Sequence, residues 1–133
     1  LKIPENKIVI VGRSVGSGPA VEIASQHDPV GLVLISPFHS AFRAVTRYPI
    51  FLGDLFPNIE RISLISEPLL VIHGTEDRLI PVEQGKSLYD LSPSARKSFL
   101  PLYHAGHNDL FERYESEIFQ AIDDWCPVPR SGL

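Results

Sequence analysis

An α/β fold, a parallel sheet of about four strands flanked by helices, is predicted by two features of the sequence. Lys7–Val11, Gly31–Ile35 and Leu69–His73 are short, nearly unbroken apolar runs rich in Val, Ile and Leu. Strands of that kind are buried on both faces. Segments with helical spacing of apolar residues alternate with them, which is the pattern of a parallel sheet covered on both sides.

The elements follow in order. The first strand, Lys7–Val11, is bounded by Asn6 and Gly12. A helix from Ser17 to Gln26 places Ala20, Val21, Ile23 and Ala24 at helical spacing, and His27-Asp28-Pro29 breaks it. The second strand, Gly31–Ile35, stops at Ser36-Pro37, and the third, Leu69–His73, lies between Pro68 and Gly74. Residues Lys97–Tyr103 form a weaker fourth strand, and Pro101 within it favours a sheet edge. Helices are expected at Val82–Leu91 and Leu110–Trp125. The latter carries Ile118, Phe119, Ile122 and Trp125 on one face. Between the second and third strands, Phe38–Pro57 is a long insertion holding Phe38, Phe42, Tyr48, Phe51 and Phe56. It reads either as a packed helical excursion or as a wall over an apolar ligand, with Phe38 and Phe42 as candidate substrate contacts. Residues 126–133 read as a tail or linker with two prolines.

Composition narrows the function. The 133 residues, 44% hydrophobic, suit one domain with a real core. A net charge of −4 and no Lys/Arg cluster argue against a nucleic-acid partner. No apolar run approaches bilayer length, so no transmembrane segment is expected. Cys126 is the lone cysteine, which excludes an internal disulfide and a cysteine zinc site and fits a reducing compartment. The absence of Met predicts that Leu1 is not a native start and that the chain is a piece of a longer protein.

Gly12-Arg13-Ser14-Val15-Gly16 matches G-x-S-x-G between a strand and a helix. There a serine can sit in a strained turn with its hydroxyl exposed, and small residues at Gly12 and Gly16 let backbone approach closely. The competing role for Ser14 is an ordinary helix N-cap. The helix start aims N–H groups at any oxyanion formed there, with the Val15 N–H as one donor. A serine nucleophile needs a base, and the base needs an orienting acid. Asp77 follows the third strand and His107 the fourth, giving the chain order Ser, Asp, His. Glu76 is the alternative acid and His104 the alternative base. His104-x-x-His107 has metal-ligand spacing, but no further ligand pattern supports a metal. His73 ends a buried strand and reads as structural, and Asn108 or Asp109 as a cap of the last helix. Such a site would transfer the acyl group of an ester, thioester or amide to Ser14 and then to water. No metal, nucleotide or redox cofactor is called for.

Gly12-Arg13-Ser14-Val15-Gly16, Phe56-Pro57-Asn58-Ile59-Glu60, His73-Gly74-Thr75-Glu76-Asp77 and Gly106-His107-Asn108-Asp109 resemble the α/β-hydrolase domain-containing proteins, in particular the branch with protein depalmitoylases. The resemblance covers about residues 3–125. It implies a partial α/β-hydrolase fold, with residues 1–125 as the carboxyl-terminal half of the domain. It carries Ser14, Asp77 and His107 over as nucleophile, acid and base, and implies a serine hydrolase acting on an acyl ester or on palmitoyl thioesters of cytoplasmic proteins. A missing amino-terminal half of the same domain would then supply the second oxyanion N–H and peripheral membrane attachment, and would cover the edge of the first strand. Without it, the isolated chain is expected to be poorly soluble or partly unfolded. Two alternatives stay open: an oligopeptidase-like serine peptidase, and a non-catalytic fragment acting as an interaction module.

Overall fold

The structure, a computed structural model, describes residues 2–39 and 57–126. Four strands, β1 (Val9–Arg13), β2 (Gly31–Ile35), β3 (Leu69–Gly74) and β4 (Lys97–Leu102), form one sheet in the order β1-β2-β3-β4. Every ladder is parallel. Helix α1 (Ser17–Ala24) follows β1 through a 3-10 turn, Ser14–Gly16. A short helix, α2 (Asn58–Arg61), and a second 3-10 turn, Ile62–Leu64, lead into β3. Helix α3 (Val82–Leu91) links β3 to β4, and α4 (Leu110–Trp125) follows β4.

Strand alternation divides the apolar residues between two faces. Leu32, Leu34, Leu69 and Val71 pack with Ala20, Val21 and Ala24 of α1, Leu88 of α3, and Ile62 and Ile65. Val33, Ile35, Leu70 and Ile72 pack on the other face with Leu110, Ile118 and Trp125 of α4. All residues of β2 and β3 are buried, as a sheet covered on both sides requires. Each such Leu, Ile or Val contributes about 1.5–3 kcal/mol. Two cations close the helix ends. Lys97 Nζ donates to the carbonyls of Tyr89, Asp90 and Ser92 at the end of α3. Arg96 donates to the carbonyl of Trp125 at the end of α4. Both placements complement the helix dipole.

Some boundaries differ from expectation. Lys7 lies in a 3-10 turn, Glu5–Lys7, and β1 runs on through Gly12 and Arg13, which pair with Leu34 and Ile35. The ladder with β2 overrides the tendency of Gly12 to end a strand. Helix α1 stops at Ala24 rather than Gln26, because the chain tightens into a Gln26 N–H to Ile23 carbonyl bond. Phe119 is 57% exposed. It lies about 100° around α4 from Ile118 and so falls at the rim of the apolar stripe. The expected edge position of the Pro101 strand is what the described sheet has, with Pro101 paired to His73. At the opposite edge, β1 leaves Val11 54% exposed. Phe42, Tyr48, Phe51 and Phe56 of the insertion, and residues 127–133 of the tail, lie outside the described residues. No helix among the described residues is long and apolar enough to cross a membrane.

One contact reports on how α4 is seated. A Cβ on Gly31 would lie 2.7 Å from the Trp125 ring and 3.2 Å from the Pro68 carbonyl. Gly31→Ala is therefore expected to destabilise the chain by about 1–3 kcal/mol. Urea unfolding checks this, and adding Trp125→Leu should recover part of the loss.

Candidate active site

The turn after β1 is held by close approach. A Cβ on Gly12 would lie 2.5 Å from the Ala20 Cβ and 2.7 Å from the Gly16 carbonyl, so only glycine lets α1 start there. Gly16 is different: at φ −67 it sits in ordinary helical backbone, and an added Cβ meets nothing within 4 Å among the described residues. The expected close approach is thus made by Gly12 and not by Gly16. Ser14 has φ 49, a left-handed conformation that strains a residue with a side chain. The N-cap of α1 is Gly16, not Ser14. Ser17 Oγ donates to the Ser14 carbonyl at 2.7 Å and steadies the turn. Ser14 Oγ instead meets His107 Nε2 at 2.9 Å.

The loops after β3 and β4 are interlocked. A Cβ on Gly74 would lie 2.3 Å from the Ala105 carbonyl, so glycine is required where the two loops touch. The N–H groups of Thr75 and Glu76 donate to the carbonyls of Leu102 and Ala105, both at 3.0 Å. This contact sets Asp77 opposite His107. Asp77 Oδ1 accepts the N–H groups of Leu79 at 2.9 Å and Ile80 at 2.8 Å. Asp77 Oδ2 accepts His107 Nδ1–H at 2.7 Å. With that proton on Nδ1, Nε2 is bare and accepts the Ser14 hydroxyl proton. Burial pushes the Asp77 carboxyl upward, but the hydrogen bond from His107, the nearby His73 N–H and the hydrogen bond from the Ile80 N–H outweigh it. The group is held well below the usual carboxylate range.

Glu76 and His104, the alternative acid and base, bond to each other instead, Nδ1 to Oε1 at 2.8 Å, on the exposed side of the same two loops. Asp109 occupies the N-cap position of α4 but makes no side-chain cap bond. Its carboxylate accepts the Gly106 N–H at 2.7 Å and an Arg113 N–H at 3.2 Å, so it braces the loop before His107. The Arg113 contact, then the Gly106 N–H, holds Asp109 below its ordinary value. Val15 is 75% exposed, and its N–H lies in the first turn after the strand, where no intrahelical acceptor exists. Phe38 is 2% exposed and belongs to the interior of the described residues, its carbonyl accepting Asn58 Nδ2 at 2.9 Å. Phe42 lies outside them. Among the described residues no group of three or more His, Cys, Asp or Glu could hold a metal ion.

Two neighbours escaped the sequence. Arg13 donates to the His107 carbonyl at 3.3 Å and stacks 4.8 Å from the centre of the Phe111 ring, tying the serine turn to the histidine loop. Its position inside G-x-S-x-G was the available signal. Asn58, wholly buried, links the Phe38 carbonyl to Ser17 Oγ, and its place in Phe56-Pro57-Asn58-Ile59-Glu60 was the available signal.

Parallel strands that deliver Ser, Asp and His to one end of the sheet, in that chain order, define the α/β-hydrolase fold. No family model matches the chain. It is 38% identical over 131 residues to alpha/beta hydrolase domain-containing protein 17C of Mus musculus, covering 93% of this chain and 39% of that protein. It is 40% identical over 114 residues to alpha/beta hydrolase domain-containing protein aho-3 of Caenorhabditis elegans, covering 81% of this chain and 33% of that one. The chain thus spans well under half the length of these curated relatives. Among solved structures, the esterase domain of a Rhodothermus marinus protein superposes with a TM-score of 0.74 at 17% identity, over 90% of this chain and 59% of that one. The chain belongs to the α/β-hydrolase domain-containing proteins.

The depressed Asp77 pKa has a defined consequence for stability. Its folded-state value lies below the unfolded value of about 3.9. The carboxylate therefore contributes stability above that pH and loses it as pH falls further. The stability difference between the unsubstituted chain and Asp77→Asn should narrow below about pH 4. Urea midpoints measured from neutral to acidic pH check this; a constant difference would contradict it.

Proposed function

We propose that the chain carries the acyl-transfer site of a serine hydrolase, with Ser14 as nucleophile, His107 as base and Asp77 as acid. The observation that supports this most is the unbroken line from Ser14 Oγ through His107 to Asp77, with links of 2.9 and 2.7 Å. His107 Nε2 takes the hydroxyl proton as Ser14 Oγ attacks an acyl carbonyl. Asp77 stabilises the imidazolium that forms. The Val15 N–H donates to the oxyanion. The intermediate collapses as His107 returns the proton to the leaving group, and water repeats the sequence to release the acid.

The substrate class we propose is a fatty-acyl ester or thioester, including palmitoyl thioesters of cytoplasmic proteins. Val15, next to Ser14, and Leu79, in the turn after Asp77, are exposed apolar side chains that suit an apolar acyl group. The esterase-domain neighbour supports acyl-ester chemistry. The edge of β1 that has no partner strand among the described residues supports a further strand there, from an amino-terminal part of the domain that brings the second oxyanion donor. Removing one such donor costs about 10²–10³ in rate.

A fluorophosphonate probe tests this reading on the chain and on any longer product of its reading frame. The probe should label one serine, and Ser14→Ala should abolish labelling. Ser14→Ala and His107→Ala should each lower thioester hydrolysis by at least about 10³-fold. Labelling that survives Ser14→Ala would refute the assignment.

A further inference from the structure

His73, read from sequence as structural, has a geometry that core packing does not account for. It is the fifth residue of β3 and wholly buried. Its Nε2 lies 2.8 Å from the Ile80 carbonyl, so Nε2 carries a proton and donates it there. The same nitrogen is 3.6 Å from Asp77 Oδ2. The Ile80 N–H donates to the other carboxylate oxygen, Oδ1, at 2.8 Å. Ile80 thus bridges the two side chains, its N–H donating to Asp77 Oδ1 and its carbonyl accepting His73 Nε2–H.

The other ring nitrogen is the telling one. Nδ1 is buried without a hydrogen-bond partner. A Cβ on Gly85 would lie 2.3 Å from it, so α3 seats a residue without a side chain directly on the ring. A leucine would carry no unpaired nitrogen here, but it would leave the Ile80 carbonyl without its donor. What only the imidazole supplies is the Nε2–H facing the turn after Asp77.

We propose that His73 is a positioning residue for Asp77: its Nε2–H fixes the Ile80 carbonyl, and through that turn aims Asp77 Oδ2 at His107 Nδ1. The assignment presupposes the serine-hydrolase reading of the site. His73 itself touches no reacting atom.

Three variants test it. His73→Leu removes the donor. His73→Gln retains an amide N–H of similar reach. Gly85→Ala keeps the imidazole but displaces it, while alanine otherwise favours the helix. The first readout is the NMR resonance of the His107 Nδ1 proton, which lies far downfield when donated to a carboxylate and needs no turnover. The second is the rate of phosphonylation of Ser14 by a fluorophosphonate, with kcat and KM wherever hydrolysis is measurable.

His73→Leu and Gly85→Ala should shift or lose the downfield resonance and slow phosphonylation by up to about 10²-fold, the scale of a 1 Å misplacement. Hydrolysis should lose kcat with KM held. His73→Gln should recover most of both. If His73→Leu does not fold, Gly85→Ala and His73→Gln decide the matter. Unchanged resonance and labelling rate in folded His73→Leu or Gly85→Ala would overturn the proposal. Absence of labelling both in the unsubstituted chain and in any longer product of its reading frame would instead sink the hydrolase reading, and the His107 resonance would still decide the role of His73.

Discussion

Burial of β2 and β3 on both faces is the constraint from which the rest follows. Their side chains alternate between two separate clusters, so the register of each ladder is locked. A one-residue slip would send Val33 or Leu70 to the wrong face. Because every ladder is parallel, all four strands point the same way and end at one side of the sheet. Arg13, Ile35 and Ile72 share a level across β1, β2 and β3. The residues just beyond them are Ser14, Ser36 and His73. The site is thus a consequence of strand register, and the loops only finish it.

The finishing is done under strain. Ser14, Ser36 and His104 have φ of 49, 48 and 62. All three lie at or just past a strand end. Left-handed backbone costs a residue with a side chain about 1–3 kcal/mol, and it persists only where surroundings over-determine it. Here the surroundings can be named. Ser17 Oγ holds the Ser14 carbonyl, and the Ile72 carbonyl takes the Ser36 N–H. Thr75 Oγ1 takes the His104 N–H. The glycines play the complementary part, since Gly12 and Gly74 stand where another segment of the chain comes too close for any Cβ.

Much of this could be read from the sequence, for a physical reason. Strands buried on both faces leave an unbroken apolar signal, so Gly31–Ile35 has the bounds it was expected to have. β1 was harder, since its ladder recruits Gly12 and Arg13, residues whose own preferences mark an end. The placement of Ser14, Asp77 and His107 together follows from strand order and turn spacing, both visible in sequence. Arg13, Asn58 and the pairing of Glu76 with His104 depend on contacts between loops far apart in the chain, and no local pattern encodes those. In sequence, Glu76 and His104 stand as rivals of Asp77 and His107. Space makes them partners of each other, because neighbours at a turn project to opposite sides.

The two halves of the site are held unequally. Asp77 follows β3, a strand with neighbours on both sides, and both its oxygens accept hydrogen bonds. His107 is bound to that buried acid and to an interlocked loop. Ser14 follows β1, which among the described residues pairs only with β2. A strand with one ladder opens at lower free energy than one with two. The same holds for β4, which among the described residues pairs only with β3, so geometry between serine and histidine depends on the ties between the β1 turn, the β4 loop and α4. Arg13 is such a tie, reaching the His107 carbonyl and the Phe111 ring from the residue next to the serine. A bond of 3.3 Å in solvent is weak alone, but it joins the turns after β1 and β4, the two strands that have a single ladder among the described residues. Covering the outer edge of β1 would fix that junction from the other side, so the order of the sheet's edge and the alignment of the site are coupled.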